Sequence, residues 1–251
     1  MKKLFALLLA LCLLCAAASA PAEEDYSGTW YLNRGEFSSY VVYFGENYDL
    51  IYDLKDDGTF TAWSNVQGTD ATTSGTWTAG DGTITCSEAD ADSAFKEGDT
   101  VFTIEGDELR MENDSMDMVF TRTRREEFVL PDAVQAESVD QFNGTWLLTT
   151  AIQEGNVSVY SDPVSTIILQ DGILFDFAVD DTGAETTSTY EGEFTDGSLT
   201  FILQESEEGT VDSIYTLLED GSLCVSAEYY GFLIPDFYFI FTPAETAVPE
   251  N

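Results

Sequence analysis

Gly28-Thr29-Trp30 returns 116 positions later as Gly144-Thr145-Trp146, and each triplet opens a series of short β-type runs. After the first triplet, alternating apolar runs fall at about 28–33, 39–44, 48–54, 58–63, 72–78, 82–87, 100–105, 108–112 and 116–123. Alternation of period two marks strands with one buried face. The runs are separated by Asp56-Asp57-Gly58, Gly80-Asp81-Gly82 and Glu105-Gly106-Asp107. Asp-Gly accepts the positive φ of a primed hairpin turn, so neighbouring runs pair antiparallel. Eight or nine such strands leave two exposed edges unless the sheet closes on itself. The expected unit is an antiparallel up-and-down β-barrel.

The second half repeats the order of signals. Tyr26 ahead of the first triplet matches Phe142 ahead of the second. Asp57-Gly58-Thr59-Phe60 matches Asp171-Gly172-Ile173-Leu174, and Gly75-Thr76-Trp77 with Asp81-Gly82 matches Gly192-Glu193-Phe194 with Asp196-Gly197. Phe102-Thr103-Ile104 matches Tyr215-Thr216-Leu217, and Val119-Phe120-Thr121 matches Ile240-Phe241-Thr242. The expected fold is all-β, with two tandem barrels over 23–125 and 142–243. A linker over 126–141 has the composition of a short helix, with Ala133, Val134, Ala136 and Val139 as its contacts. A polar tail covers 244–251.

Met1-Lys2-Lys3, the apolar Leu4–Cys15 stretch and Ala16-Ala17-Ala18-Ser19-Ala20 have the three regions of a secretory signal peptide. Cleavage before Glu23 makes the leader 1–22 and the product secreted or extracytoplasmic. Leu11 and Leu14 precede Cys12 and Cys15 where a lipid anchor needs a small residue, which argues against one. No later segment approaches the length of a membrane-spanning helix. The mature chain keeps Cys86 and Cys224, on different strands of the two units, so buried free thiols are expected and a disulfide scaffold is not.

The net charge of −38 becomes about −40 once Lys2 and Lys3 are removed. Nucleic acid and anionic membranes are therefore poor partners. No Lys or Arg follows Arg125. The second half must be held by apolar burial and hydrogen bonds, against a self-repulsion that salt screens.

A first strand with Gly-x-Trp and a last strand bearing an Arg resembles the lipocalin-like (calycin) barrels, in particular small secreted bacterial ones. The resemblance implies that an Arg lies across the Trp at the closed end, and that the interior takes a small apolar ligand. The matching residues are Trp30 and Arg122. Met118, Phe120 and Arg122 share one strand face, so an inward Phe120 brings Arg122 with it. The second unit keeps Trp146 but has Pro243 where Arg122 would fall. These three residues read as structural closure of the barrel ends rather than as ligand contacts.

The chain has no His, which removes Ser-His and Cys-His pairs and His-based metal sites. No Gly-rich phosphate loop is present. Carboxylate pairs such as Glu191 and Glu193 read as solvated, although a carboxylate-dependent hydrolase would need such a pair in a cleft. Glu88, Asp90, Asp92 and Asp99 cluster without the EF-hand pattern. No catalytic residue, cofactor or metal site is expected. Aromatics concentrate at Tyr40, Tyr43, Phe44, Tyr48 and Tyr52, and again from Tyr229 to Phe241. Those not needed for core would line a pocket or face a partner. The expected function is an exported, non-catalytic binding protein for a small neutral or apolar ligand. The alternative is a structural or interaction module of the bacterial cell envelope, with filled barrels and a protein partner.

Overall fold

The computed structural model describes residues 25–45, 48–66, 68–88, 99–112, 116–179, 185–206, 209–229 and 232–244. The leader with Cys12 and Cys15, the acidic residues Asp90 and Asp92, Tyr230 and all but Ala244 of the tail lie outside them.

The described residues are mostly strand. The first half contains β1 (Gly28–Glu36), β2 (Tyr40–Tyr43), β3 (Tyr48–Leu54), β4 (Thr59–Val66), β5 (Thr69–Gly80), β6 (Thr83–Glu88), β7 (Thr100–Glu105), β8 (Glu108–Glu112) and β9 (Asp117–Thr121). A connector carries the two-residue β10 (Ala133–Val134) and one 3-10 turn (Val139–Phe142). The second half contains β11 (Gly144–Gln153), β12 (Asn156–Tyr160), β13 (Thr166–Gln170), β14 (Ile173–Val179) and β15 (Glu185–Thr195). It continues with β16 (Ser198–Ser206), β17 (Gly209–Leu218), β18 (Leu223–Tyr229) and β19 (Phe232–Pro243).

Two antiparallel circuits close. β1 pairs with β3, the ladder runs in order to β9, and β9 returns to β1. β11 likewise pairs with β13, and β19 returns to β11. Each barrel has eight staves, because its second stave is broken: β2 pairs with the far half of β1 and β12 with the far half of β11. The registers agree in detail. A bulge interrupts β1·β9 between Leu32 and Arg34 and β11·β19 between Leu148 and Thr150, the same place 116 residues on. Asp81-Gly82 and Asp196-Gly197 turn their hairpins with φ of 54° and 77°, and of 51° and 82°. Both residues of a primed turn need this left-handed region, which Gly adopts freely and Asp tolerates.

One sequence match shifts. Trp77 N–H donates to Gly58 O, and Gly192 N–H donates to Gly172 O, both at 2.8 Å. Gly192 therefore occupies the place of Trp77, and Gly75 corresponds to Tyr190. The two glycines lie two residues apart on the same face, which alternation alone cannot distinguish.

The broken staves join the barrels. β2 pairs antiparallel with β12 through Tyr43↔Val157, Val42↔Ser158, Val41↔Val159 and Tyr40↔Tyr160. The turns beside this ladder come close enough that a Cβ on Gly45 would lie 2.6 Å from Gly155 O. Asn156 Oδ1 accepts from Gly45 N–H at 2.9 Å.

The first interior is filled by Trp30, Tyr52, Phe60, Ile84, Phe102 and Phe120. Tyr52, Phe102 and Phe120 meet edge to face at centroid distances of 5.0–5.7 Å. Such packing orients aromatic quadrupoles favourably. The second interior is built on Trp146, Leu169, Leu199, Phe201, Leu223 and Phe241. A third cluster lies outside the second barrel: Ile152, Val157, Cys224 and Ile240 are covered by Tyr43, Phe128 and Leu130. The connector is thus a packed strap, extended apart from its 3-10 turn, rather than a helix. Its apolar residues are spaced to lie along a sheet face, and β10 adds to β17 at Leu217 and Leu218.

The corresponding outer face of the first barrel is ionic. Arg34 bridges Glu108 at 2.8 Å and Glu36 at 2.7 Å, and Arg110 bridges Glu36 at 2.7 Å and Asp117 at 3.2 Å. Register places Thr150, Ile152, Cys224 and Tyr238 at the positions of Arg34, Glu36, Arg110 and Asp117. A face covered by the connector is apolar, and its uncovered counterpart is charged, as burial cost requires.

Candidate binding site

The two barrel ends beneath the Gly-Thr-Trp triplets close by different means. Arg122 places its guanidinium carbon 4.0 Å from the Trp30 ring centroid. It donates to Ser27 O and, at 3.0 Å, to Asp25 O. Gly28 is required beneath it: its φ is +110°, and a Cβ there would lie 2.7 Å from Arg122 Nη1. Trp30 Nε1–H donates to Tyr26 O at 3.1 Å, and Trp146 Nε1–H to Phe142 O at 2.9 Å. At Pro243, which pairs with Trp146, no guanidinium is present. The end is filled instead by the buried Phe142 and Ala136 of the connector. Asn143 and Asp171 pin that plug through Asp171 N–H to Asn143 Oδ1 at 2.8 Å. The match of Phe142 to Tyr26 signals half of this plug, whereas Ala136 comes from the linker before the unit.

A cleft of about 670 Å³ borders Asp25, Trp30, Asp107, Glu108 and Arg122 at the end of the first barrel. Its one cation already serves backbone carbonyls, and it is open to solvent. Glu191 and Glu193 lie exposed on the outer face of β15. Cys86 and Cys224 are buried and free. Burial pushes their thiols up to about 12 and about 11, the opposite of what a nucleophilic thiolate needs.

The opposite, open end of the second barrel holds a smaller cavity of about 380 Å³, walled by the rings of Tyr160, Phe237, Phe239 and, from the first barrel, Tyr48, together with Ala151, Gln153, Glu154, Asn156 and Ser158. Ladder partners share a face, so Ala151 and Phe239 place this cavity on the lumen side. At the matching place in the first barrel, a Cβ on Gly35 would lie 2.9 Å from Met116 Sδ and 3.2 Å from Phe44 Cζ. That mouth is occupied by side chains.

Polar groups also face the second lumen. Asp176 pairs with Ile167 of the core, and Ser188 stands on its other side. Tyr215 is buried in the core cluster, with its hydroxyl pushed up to about 12 by burial, a hydrogen bond with Ser213 opposing the rise and the Asp176 carboxylate and Tyr190 adding to it. Ser213, two residues along the same face, is 3% exposed and lies beside the Tyr215 hydroxyl. Among the described residues no group of three or more Cys, Asp or Glu gathers as a metal site. No helix there is long and apolar enough to cross a membrane.

No family model and no curated protein matches the chain. Two solved structures are similar to parts of it. A lipocalin-like protein from Bacteroides uniformis is 18% identical, with a TM-score of 0.31, covering 39% of this chain and 97% of its own. An uncharacterized protein from Bacteroides eggerthii is 16% identical, with a TM-score of 0.29, covering 38% of this chain and 98% of its own.

Proposed function

We propose that this is an exported, non-catalytic binding protein, made by duplication of a lipocalin-like barrel and holding a small neutral or apolar ligand at the mouth of its second barrel. The observation that carries the reading is the aromatic-walled cavity of about 380 Å³ on the lumen side, within the size range of small-molecule sites. The first barrel is filled by its own aromatic side chains and serves as scaffold, contributing Tyr48 to the wall. In that half the alternative reading, a structural module of the envelope, has its support. The leader 1–22 directs export, and duplication accounts for the shared register and bulge.

The neutral apolar dye N-phenyl-1-naphthylamine tests the site. Its fluorescence should rise on adding the mature protein and stay near the buffer value with Ala151→Trp, which fills the cavity, at an unchanged melting temperature. Equal enhancement by both proteins, or none by either, overturns the assignment.

A further inference from the structure

We propose that the cavity at the mouth of the second barrel takes a neutral saccharide of one or two pyranose rings. The inference rests on the binding reading above and narrows its ligand from neutral or apolar to hydroxylated and uncharged.

Ladder register sets the wall. Ala151 pairs with Ser158 on one side and Phe239 on the other, and Gln153 likewise with Asn156 and Phe237. Alternation along β12 brings Asn156, Ser158 and Tyr160 to that same lumen face. Val157, between them, turns into the cluster under the connector. The first unit completes the wall. Asn156 Oδ1 accepts from Gly45 N–H at 2.9 Å, Gly45 O accepts from Tyr48 N–H at 3.0 Å, and Tyr48 borders the cavity. A volume of about 380 Å³ is at the small end of ligand sites, which suits one or two sugar rings.

The chemistry of that wall selects the ligand. Phe237 and Phe239 meet edge to face at 4.9 Å, and Tyr160 packs on Tyr40 at 5.7 Å, so the rings are braced. Aromatic faces are negative and attract the positively polarised C–H bonds on the flat of a pyranose. Beside the rings stand Gln153, Asn156 and Ser158, which offer both donors and acceptors. Among the described residues no hydrogen bond engages the side chain of Gln153 or Ser158, and that of Asn156 uses only its oxygen. A wholly apolar ligand would take water from these groups and leave them unpaired. Sugar hydroxyls replace that water. No Lys or Arg borders the cavity and none follows Arg125, so an anion finds no counter-ion. The one carboxylate, Glu154, is exposed on the Glu154-Gly155 turn, where water weakens its pull on a cation.

Calorimetry on the mature protein at physiological salt uses maltose, cellobiose, lactose and N,N′-diacetylchitobiose. At least one should bind, one molecule per chain, and Ala151→Trp should abolish it. Gln153→Leu keeps the size of an exposed side chain but removes its amide. It should weaken the sugar about three- to tenfold, the scale of one net hydrogen bond, and leave the naphthylamine dye unweakened. Tyr160→Leu should weaken the sugar as well. Binding of none of the four overturns the proposal, as does sugar binding that survives Ala151→Trp or is unchanged by Gln153→Leu. If the dye binds and no sugar does, only this proposal fails. If neither dye nor sugar binds, the cavity reading fails with it.

Discussion

Val42 and Ser158 face each other at the centre of the ladder that joins the barrels, and each holds the other's position in its own barrel. Val42 pairs with Gly35 in the first unit, and Ser158 with Ala151 in the second, 116 residues on in both cases. Around them Val41 meets Val159 and Tyr43 meets Val157, while Val157 and Val159 are the counterparts of Val41 and Tyr43. The junction is therefore self-complementary, with the geometry of a two-fold dimer interface inside one chain.

Gly45→Ala should loosen that junction. The added Cβ meets the backbone of Gly155 at 2.6 Å, which cannot move aside as a side chain would. A cost of about 1–3 kcal/mol is expected for such overpacking. Amide exchange at residues 41–43 and 157–159 should quicken while the barrel cores keep their protection. Unchanged exchange there would contradict a rigid junction.

Gly28→Ala should destabilise more than Gly144→Ala, because only Gly28 combines a φ of +110° with a guanidinium overhead. Both positions strain an Ala, with φ of +110° and +155°, so the difference comes from the contact: a Cβ at Gly28 meets Arg122 Nη1 at 2.7 Å, and one at Gly144 meets Trp146 Nε1 at 3.6 Å. Arg122→Ala should cost about 1 kcal/mol, the scale of an exposed cation–π contact. Denaturant titration reads both, and equal effects of the two glycine substitutions would refute the difference in end closure.

Phe142→Ala should be severe. The ring is fully buried in the second barrel and meets Phe194 edge to face at 6.2 Å. Truncating such a core residue costs about 3–5 kcal/mol. A loss below about 1 kcal/mol would mean that the connector does not plug the barrel.

The ion cluster on the first barrel should give a pH-dependent stability. Arg110 and Arg34 hold the Glu36 carboxyl below its ordinary value, and Arg34 does the same for Glu108. A carboxyl lowered on folding stabilises above its unfolded pKa of about 4.3, and that contribution is lost as pH falls through the folded value. Arg110→Gln should lower the melting temperature by a few degrees at pH 7, with the gap closing below about pH 4. A gap that persists in acid would assign the effect to packing instead.

Cys86 and Cys224 should resist a thiol-specific disulfide reagent in the native mature protein and react on unfolding. Their thiols are buried and raised to about 12 and about 11, leaving almost no thiolate at neutral pH. Rapid native labelling of either would contradict this.

Strands and hairpins were legible because their signals are local: alternation, and Asp-Gly turns such as Asp81-Gly82. Alternation also set Met118, Phe120 and Arg122 on one face, and the guanidinium is found over Trp30. The pairing of β2 with β12 was not legible, because residues 116 apart meet through backbone groups that carry no sequence mark. Phe142 was legible as the counterpart of Tyr26, but the contribution of Ala136 to the plug was hidden because it comes from what reads as linker. Asp176 was one acid among the 47 Asp and Glu residues of the chain. Only the ladder to Ile167 shows that it points inward.

Native mass spectrometry of the mature protein recovered from its own host asks most directly whether the second mouth holds a ligand. A single small-molecule adduct on the unsubstituted chain, absent from Ala151→Trp, is the expected result. A bare mass for both proteins, or an adduct that survives filling of the cavity, would contradict it.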